Sequence, residues 1–187
     1  MNIILFGPPG AGKGTQAKYL VKKLSGFQIS TGEILRNEIQ KDTNIGKKII
    51  TDMNDGKFVS DEIVNELIKK LIFDPTKKNR LIFDGYPRSL SQAKNLDLLL
   101  NTSNQKIDFV FYLNVDKETI IRRIQKRKIE EKRSDDDQKT ILKRYEKYME
   151  TTKPVLDFYS KNSNFYEIDG SQEISQITKK IDIFTNV

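Results

Sequence analysis

Five short apolar runs along the chain indicate β-strands. They are NIILF, FQIS, RLIFD, FVFYLNV and FYEID, and they are rich in β-branched and aromatic residues with little alternation. Strands that are buried on both faces of a parallel sheet have this pattern. Between them, segments such as KGTQAKYLVKKL, DEIVNELIKKLI and ISQITKKIDIF repeat apolar residues at helical spacing. The alternation predicts a three-layer α/β fold, with a five-stranded parallel sheet and helices on both faces.

Two segments interrupt this alternation and predict insertions within a single domain that spans residues 1–187. Residues 30–59 contain two short amphipathic helices, punctuated by Gly46 and Gly56, where one crossover helix would suffice. We expect this segment to form a small mobile flap. The charged stretch RRIQKRKIEEKRSDDDQKTILKR joins two later helices, and we expect Pro154 to end or kink the second of them.

Composition narrows the chemistry that this chain can perform. The sequence contains no cysteine and no histidine, which excludes disulfides, thiolate zinc sites and the commonest general base. No apolar run approaches the roughly 20 residues needed to cross a bilayer, so we expect a soluble, cytoplasmic protein. The net charge of +7 indicates acidic partners, either nucleic acid or phosphorylated small molecules, unless it reflects lysines on solvated helix faces.

The segment GPPGAGKGT, between the first strand and the first helix, indicates a phosphate-binding loop. Its glycines let several backbone N–H groups converge, the helix N-terminus adds partial positive charge, and Lys13 reaches the outer phosphates. A plain strand-to-helix turn is the weaker alternative. In the common form of this loop a serine or threonine after the lysine binds magnesium, but here Gly14 takes that position and Thr15 follows. The loop predicts a nucleotide and leaves the magnesium ligand open.

The segment DGYPRSLSQA, at the end of the RLIFD strand, carries further residues suited to a nucleotide. Asp84 ends a buried strand, where an unpaired carboxylate would be costly, so a metal ion or water is a reasonable partner. Arg88 offers a planar fork that suits phosphate, and Gln92 offers an amide that can read a purine edge. The structural alternatives are an Asp84 that caps the following turn and a Gln92 that caps a helix together with Ser89.

Taken together, these motifs resemble the adenylate kinase family. The resemblance runs from Met1 to about Asp182 and includes the variant phosphate loop, STGEILR, DGYPRSLSQA, Arg133 followed by SDDD, and DGSQE. It implies a P-loop NTPase fold and reversible, magnesium-dependent transfer of a phosphoryl group from ATP to AMP, giving two ADP. It also implies a monomer without zinc, in which substrate phosphates and waters hold magnesium and Asp84 orients the waters.

The resemblance assigns roles to individual residues. The catalytic set is Lys13, Asp84, Arg88, Arg127, Arg133 and Arg144. The ATP-binding set is Gly10, Ala11, Gly12, Lys13, Gly14, Thr15, Arg123, Arg127 and Gly170. The AMP-binding set is Thr31, Arg36, Lys57, Phe58, Val59, Gly85, Arg88, Gln92, Arg133 and Arg144. STGEILR also forms a capping box between Ser30 and Glu33, so a simple helix start, with Arg36 as an exposed partner of Glu33, is the alternative there.

The charged stretch departs from the longer members of the family. Only KIEEK separates Arg127 from Arg133, so the chain resembles the short-lid adenylate kinases, with a short lid loop at residues 126–136. A short loop covers less of the site, which leaves the exclusion of water during transfer open. Gln172 stands where many relatives have lysine.

Other functions remain as alternatives. A kinase for UMP or CMP is the nearest, but Thr31 favours adenine because the pyrimidine-specific relatives usually have alanine there. A nucleic-acid-binding P-loop ATPase would place basic helices on a phosphodiester backbone, yet no interleaved aromatic residues mark a base-stacking surface. A GTPase is disfavoured because the sequence lacks an N-K-x-D motif. A phosphate acceptor needs no general base, which agrees with the absence of histidine.

Overall fold

A parallel β-sheet forms the centre of the computed structural model, which describes residues 1–55, 57–131 and 138–186, without the side chains of 127–131, 138 and 139. The strands are β1 (Ile3–Phe6), β2 (Phe27–Ser30), β3 (Leu81–Asp84), β4 (Phe109–Asn114) and β5 (Phe165–Asp169). All pairings are parallel, and the five strands lie in the order β2-β3-β1-β4-β5. Every apolar run that was predicted to be a strand is one.

Helices connect the strands throughout the described residues. They are α1 (Lys13–Leu24), α2 (Thr31–Gln40), α3 (Asn44–Asn54), α4 (Asp61–Ile72), α5 (Leu90–Thr102), α6 (Lys117–Glu131), α7 (Gln138–Lys147), α8 (Lys153–Tyr159) and α9 (Ile174–Thr185). The predicted helices KGTQAKYLVKKL and DEIVNELIKKLI begin and end at the predicted residues. None of these helices, in the part of the chain that is described, has the length and apolar character of a membrane span.

The sheet separates two hydrophobic clusters, one on each face. Alternate residues of β1 point to opposite sides, so Ile3 and Leu5 join one cluster and Ile4 and Phe6 join the other. Residues of α1, α6, α7 and α9 complete the first cluster, and residues of α2 to α5 and α8 complete the second. All four residues of β1 are buried, which explains why the run NIILF shows no alternation. The predicted three-layer α/β fold is confirmed.

The strand order creates a crevice at the carboxyl end of β1. From β1 the chain continues to β2 on one side of the sheet, whereas from neighbouring β4 it continues to β5 on the other. Loops that leave adjacent strands in opposite directions open a crevice at this edge, and ligands of open α/β sheets bind there. The loop GPPGAGKGT follows β1 directly, and DGYPR follows β3 at the same edge.

The predicted flap segment contains the two expected helices, α2 and α3. They pack so closely at Gly46 that a side chain there would overlap the backbone carbonyl of Glu38. Leu35, Ile49 and Met53 are buried in the same cluster as the β1 residues of that face. The segment therefore rests on the core in this structure, and its motion as a flap stays a prediction.

The expected interruption near Pro154 occurs just before the proline. Helix α7 passes into a π-helical turn at Tyr148–Thr152, and Pro154 lies in the first turn of α8. A proline there loses no helical hydrogen bond, because the first N–H groups of a helix have no partner within it. The π-helical turn matters for the site, since the Thr152 hydroxyl donates to the Arg88 carbonyl at 3.1 Å.

Candidate active site

The loop at residues 7–15 turns the chain from β1 into α1 through backbone conformations that favour glycine. Gly10 has φ +82, and a Cβ there would stand only 2.8 Å from Ile124 Cγ1. Gly12 has φ +96 and faces open space, and it caps α1 without a side-chain hydrogen bond. The first N–H groups of α1 therefore meet no capping side chain. This arrangement suits an anion at the helix N-terminus.

Lys13 and Gly14 open helix α1 beside the end of β3. The Lys13 ammonium group donates to the Gly7 and Pro8 carbonyls at 2.7 and 2.9 Å, which holds its charge over the loop. A Cβ on Gly14 would stand 3.5 Å from Asp84 Oδ2. The position that carries the magnesium-binding hydroxyl in other phosphate loops thus lies against the Asp84 carboxylate.

The residues around Gly14 fit magnesium that arrives with a nucleotide. Within residues 1–55, 57–131 and 138–186, no three acidic side chains come together as ion ligands. Asp84 is partly exposed, and its Oδ2 accepts a hydrogen bond from Gln28 Nε2 at 3.0 Å. Magnesium keeps several waters and commonly uses one or two carboxylates together with substrate phosphates. One oriented carboxylate beside a phosphate loop meets that requirement.

Arg88 is held by the loop that follows β3. Its Nε donates to the Gly85 carbonyl at 2.7 Å, and its Nη2 donates to Thr31 Oγ1 at 3.1 Å. Its guanidinium group lies 4.8 Å from the centre of the Phe58 ring, a cation–π contact. Gly85 has φ +76, which brings its carbonyl into position, and the bond between Tyr86 and Pro87 is cis. The two hydrogen bonds and the cation–π contact hold the fork of Arg88 in place before any phosphate binds.

Several positive charges converge on the same wall of the site. Burial, and then the nearby charges of Arg144 and Arg36, lower the pKa of Arg88 to about 10, while Asp84 acts in the opposite direction. Arg36 lies partly buried over the start of α2, where a Cβ on Gly32 would stand 3.3 Å from its Nη1. Like charges that act on one another in this way are offset when an anion binds between them. The wall therefore has the electrostatic character of a phosphate site.

The residues predicted to contact the AMP base surround Arg88. Thr31 is buried, and its hydroxyl donates to the Gly85 carbonyl at 2.8 Å. Gln92 is also buried, and its Oε1 accepts the Arg88 backbone N–H at 2.7 Å. Lys57 is exposed and forms an ion pair with Asp55 at 3.0 Å, so its side chain extends toward solvent.

Both predicted helix caps are present as well. Ser30 Oγ accepts the Glu33 N–H at the start of α2. Ser89 Oγ accepts the Gln92 N–H at the start of α5. The Gln92 side chain does not complete a capping box with Ser89, because its Oε1 accepts from Arg88 one residue earlier.

Two residues predicted at the adenine of ATP, Arg123 and Gly170, are in direct contact although 47 positions separate them in the sequence. The Arg123 guanidinium group donates to the carbonyls of Gly170 at 2.7 Å and Ser171 at 3.2 Å. A Cβ on Gly170 would stand 2.6 Å from Val115 Cγ2, so the β5–α9 loop packs tightly here. These contacts tie α6 to the β5–α9 loop beside the phosphate loop.

An open cleft of about 750 Å³ joins these parts. The predicted residues that line it are Gly10, Ala11, Gly12, Lys13, Gly14, Thr15, Arg36, Lys57, Phe58, Val59, Asp84, Gly85, Arg88, Arg123 and Arg144. Thr31, Gln92 and Gly170 stand directly behind this lining, bonded to Arg88 or Arg123. The Arg127 side chain, Arg133 and residues 132–136 of the predicted lid at 126–136 lie outside the part of the chain that the structure describes.

Sequence reasoning did not identify two of the residues at the site. Gln28 contacts Asp84, and Asp61 accepts hydrogen bonds from Ser89 and Gln92. A polar residue in the apolar run FQIS was a signal for Gln28. The sequence signal for Asp61 was weaker, because acidic residues are common in the first turn of a helix.

The fold and the cleft define a P-loop phosphotransferase, with a phosphate loop on one wall and clustered arginines on another. Comparison with known proteins gives the particular family. The adenylate kinase family model matches residues 5–164. Similar proteins include the adenylate kinases of Pelagibacter ubique, 49% identical with 97% of each chain covered, and of Hyphomonas neptunium, 41% identical with 97% of this chain and 96% of the relative covered. That of Mycoplasma capricolum is 40% identical, with 90% and 91% covered.

The chain belongs to the adenylate kinase family. The predicted family, fold and enzyme class are confirmed, and the protein is a phosphotransferase of the nucleoside monophosphate kinase class. The roles of individual residues are not tested by these comparisons and stay predictions.

Proposed function

We propose that the protein transfers the γ-phosphoryl group of magnesium-bound ATP to AMP, reversibly, and so balances the adenine nucleotides through two molecules of ADP. One observation carries this proposal: a single cleft has an anion-binding loop on one wall and the guanidinium groups of Arg36, Arg88 and Arg144 on another. Each wall suits the phosphates of one substrate. Membership of the adenylate kinase family supports the same pair of substrates.

ATP occupies the wall formed by the phosphate loop. Its β- and γ-phosphates accept from the N–H groups at the start of α1, and Lys13 turns from the loop carbonyls toward them. Its adenine lies beside Arg123, whose planar group is held in place by the Gly170 carbonyl. Arg127, one helical turn further along α6, contacts the phosphates in this proposal.

AMP occupies the wall formed by the arginines. Its phosphate lies among Arg36, Arg88 and Arg144, where it offsets their mutual repulsion. Its base lies against the segment 57–59, with Thr31 and Gln92 behind. Arg133 lies outside the described residues, and the family resemblance assigns it, with Arg144, to the transferring group.

The chemistry requires positioning and charge rather than proton transfer. The acceptor is a phosphate whose second pKa is about 6, so it is largely dianionic at neutral pH and needs no general base. In a loose phosphoryl transition state, negative charge lies on the equatorial oxygens of the transferring group, and fixed guanidinium groups stabilise it. A chain without histidine or cysteine can perform this reaction.

Magnesium bound with the nucleotide would neutralise charge on its phosphates. Asp84 would orient the waters of that ion, and the hydrogen bond from Gln28 holds the carboxylate in its present direction. Closure of the flap at 30–59 and of the short lid brings ATP and AMP in line for the transfer. The enzyme acts as a monomer in the cytoplasm, as the family resemblance implies.

The experiment that tests this function is product analysis by anion-exchange chromatography. The protein is mixed with magnesium-ATP and, separately, AMP, UMP, CMP or GMP, with EDTA in a parallel set. We expect rapid ADP formation from AMP, little transfer to the other acceptors, and none with EDTA. Turnover of UMP or CMP would overturn the base assignment while keeping the mechanism. Hydrolysis of ATP without transfer to any acceptor would favour the ATPase alternative.

A further inference from the structure

The side-chain amide of Gln92 is held at both ends by protein groups. Its Oε1 accepts the Arg88 backbone N–H at 2.7 Å, and its Nε2 donates to Asp61 Oδ1 at 2.6 Å. A backbone N–H can only donate and a carboxylate can only accept. These partners therefore fix which end of the amide is oxygen and which is nitrogen.

Asp61 is itself held in place by the start of helix α5. It is the first residue of α4, and its Oδ2 accepts from Ser89 Oγ at 2.7 Å. Ser89 Oγ in turn accepts the Gln92 backbone N–H at 3.1 Å. The carboxylate thus uses one oxygen for the hydroxyl and the other for the amide, and it cannot turn away from Gln92 without losing both bonds.

Rotating the Gln92 amide by half a turn would create two repulsive contacts. The amide oxygen would face the Asp61 carboxylate, and the NH2 group would face the Arg88 N–H. Gln92 is only 4% exposed, so little water is available to compensate. Buried polar groups that lose their partners are costly. The reversed orientation is therefore strongly disfavoured as long as residue 61 is acidic.

The fixed amide keeps one N–H and one oxygen lone pair for a ligand. On each of its hydrogen-bonding edges, adenine presents its amino donor beside a ring-nitrogen acceptor, which complements an amide in this orientation. Hypoxanthine, the base of IMP, presents a carbonyl oxygen beside a ring N–H and would need the reversed amide. We propose that Asp61 is a specificity-determining residue that selects AMP over IMP by locking the orientation of Gln92. This inference rests on the proposed function, in which AMP is the acceptor and Gln92 reads its base.

The test compares kcat/KM for AMP with kcat/KM for IMP in the unaltered enzyme and in the variant Asp61→Asn. Asparagine keeps the shape of the side chain but can either accept or donate, so it removes one of the two contacts that oppose the reversed amide, and the Arg88 N–H remains as the other. We expect the AMP preference to fall roughly tenfold, about the value of one hydrogen bond between neutral groups. The matched control is Glu62→Gln, which removes the same charge from the first turn of α4 at an exposed residue and should leave the preference unchanged.

The possible outcomes distinguish failure of this inference from failure of the proposed function on which it rests. If Asp61→Asn lowers activity on AMP and IMP by the same factor, Asp61 supports structure only and the inference is overturned. If Asp61→Asn does not fold, Asp61→Ala, which removes the same carboxylate contact, is measured for the same ratio. An unaltered enzyme that transfers phosphate to AMP and to IMP equally well would overturn the inference and keep the kinase. An unaltered enzyme without transfer to AMP would overturn both.

Discussion

Replacing Arg88 by methionine should separate its functional role from its structural one. Methionine keeps much of the length of the side chain and its contact with Phe58, but it removes the charge and the two donors. The Gly85 carbonyl loses one of its two hydrogen bonds, because the Thr31 hydroxyl still donates to it. Thr31 Oγ1 loses the bond that it accepts from Arg88.

The expected change in folding free energy is small because two effects oppose each other. The pKa of Arg88 is lowered from 12.5 to about 10, so the surroundings disfavour its charge by about 3 kcal/mol, at 1.36 kcal/mol per pKa unit. The methionine variant relieves that cost. It also removes two hydrogen bonds, at about 1 to 3 kcal/mol for each group left short of a partner. The net change should stay within about 3 kcal/mol, or a Tm shift of no more than about 12 °C for a chain of this size.

The expected change in turnover is much larger. A preorganised donor aimed at developing charge contributes about a hundredfold to a thousandfold to kcat. A coupled assay of ADP formation measures turnover, and thermal unfolding followed by circular dichroism measures stability. We expect Arg88→Met to lose at least about a hundredfold in kcat while remaining folded.

Arg80→Met is the matched control for this experiment. Arg80 also lies against a phenylalanine, with its guanidinium group 5.1 Å from the centre of the Phe27 ring, but it is exposed at the opposite end of β3 from the cleft. Its loss should leave kcat within about a factor of two, as for a surface substitution away from the site. Near-normal kcat in Arg88→Met would refute the role of Arg88 in phosphoryl transfer. A loss of activity matched by the fraction of unfolded protein would refute it as well.

Three further predictions concern separate parts of the molecule. Burial raises the pKa of Asp97 above the ordinary aspartate value of 3.8, so the folded protein loses stability as the pH rises above 3.8 and the buried carboxyl must ionise. Asp97→Asn should therefore raise Tm at neutral pH but not at about pH 3. Asp157→Asn, at an exposed residue, is the control. An equal gain in Tm at both pH values for Asp97→Asn would contradict burial of the Asp97 carboxyl as the cause. Gly46→Ala should lower stability by about 1 to 3 kcal/mol in urea unfolding, because its methyl group overlaps the Glu38 carbonyl, whereas Lys48→Ala on the exposed face should not. Arg123→Met should raise KM for ATP about tenfold, the value of one or two lost contacts, and leave KM for AMP unchanged. A rise in both KM values would contradict the position of Arg123 at the ATP site.

The parts of the fold and site that sequence reasoning predicted depend on local requirements. Buried parallel strands need continuous apolar runs, and the turn from β1 into α1 needs glycine at positions such as Gly10, so both features are visible within a few residues. The positions of Asp84 and Arg88 followed from a single rule, that the carboxyl ends of parallel strands share one edge of the sheet. Strand ends could therefore be assigned to the cleft without knowledge of packing.

The parts that sequence reasoning missed depend on contacts between distant segments. Asp61 reads as an ordinary first-turn acid of α4, and only the approach of α4 to the start of α5 brings it to Gln92. The proline at 154 indicated a break in the helix, but the π-helical form of that break, which carries Thr152 to the Arg88 carbonyl, depends on packing against the DGYPR loop. Such contacts become visible only when the elements are assembled.

The absence of a hydroxyl at Gly14 in the unusual phosphate loop bears on how magnesium can be held at this site. A Cβ there would stand at an ordinary contact distance of 3.5 Å from Asp84 Oδ2, so space alone does not demand glycine. A serine or threonine would instead place a hydroxyl, a direct magnesium ligand in other phosphate loops, beside the carboxylate that already faces the loop. Without that hydroxyl, magnesium in the proposed function would depend on the nucleotide phosphates and on waters oriented by Asp84. Such an ion would enter and leave with its nucleotide, which suits a reaction in which ATP and ADP exchange the roles of donor and product in both directions.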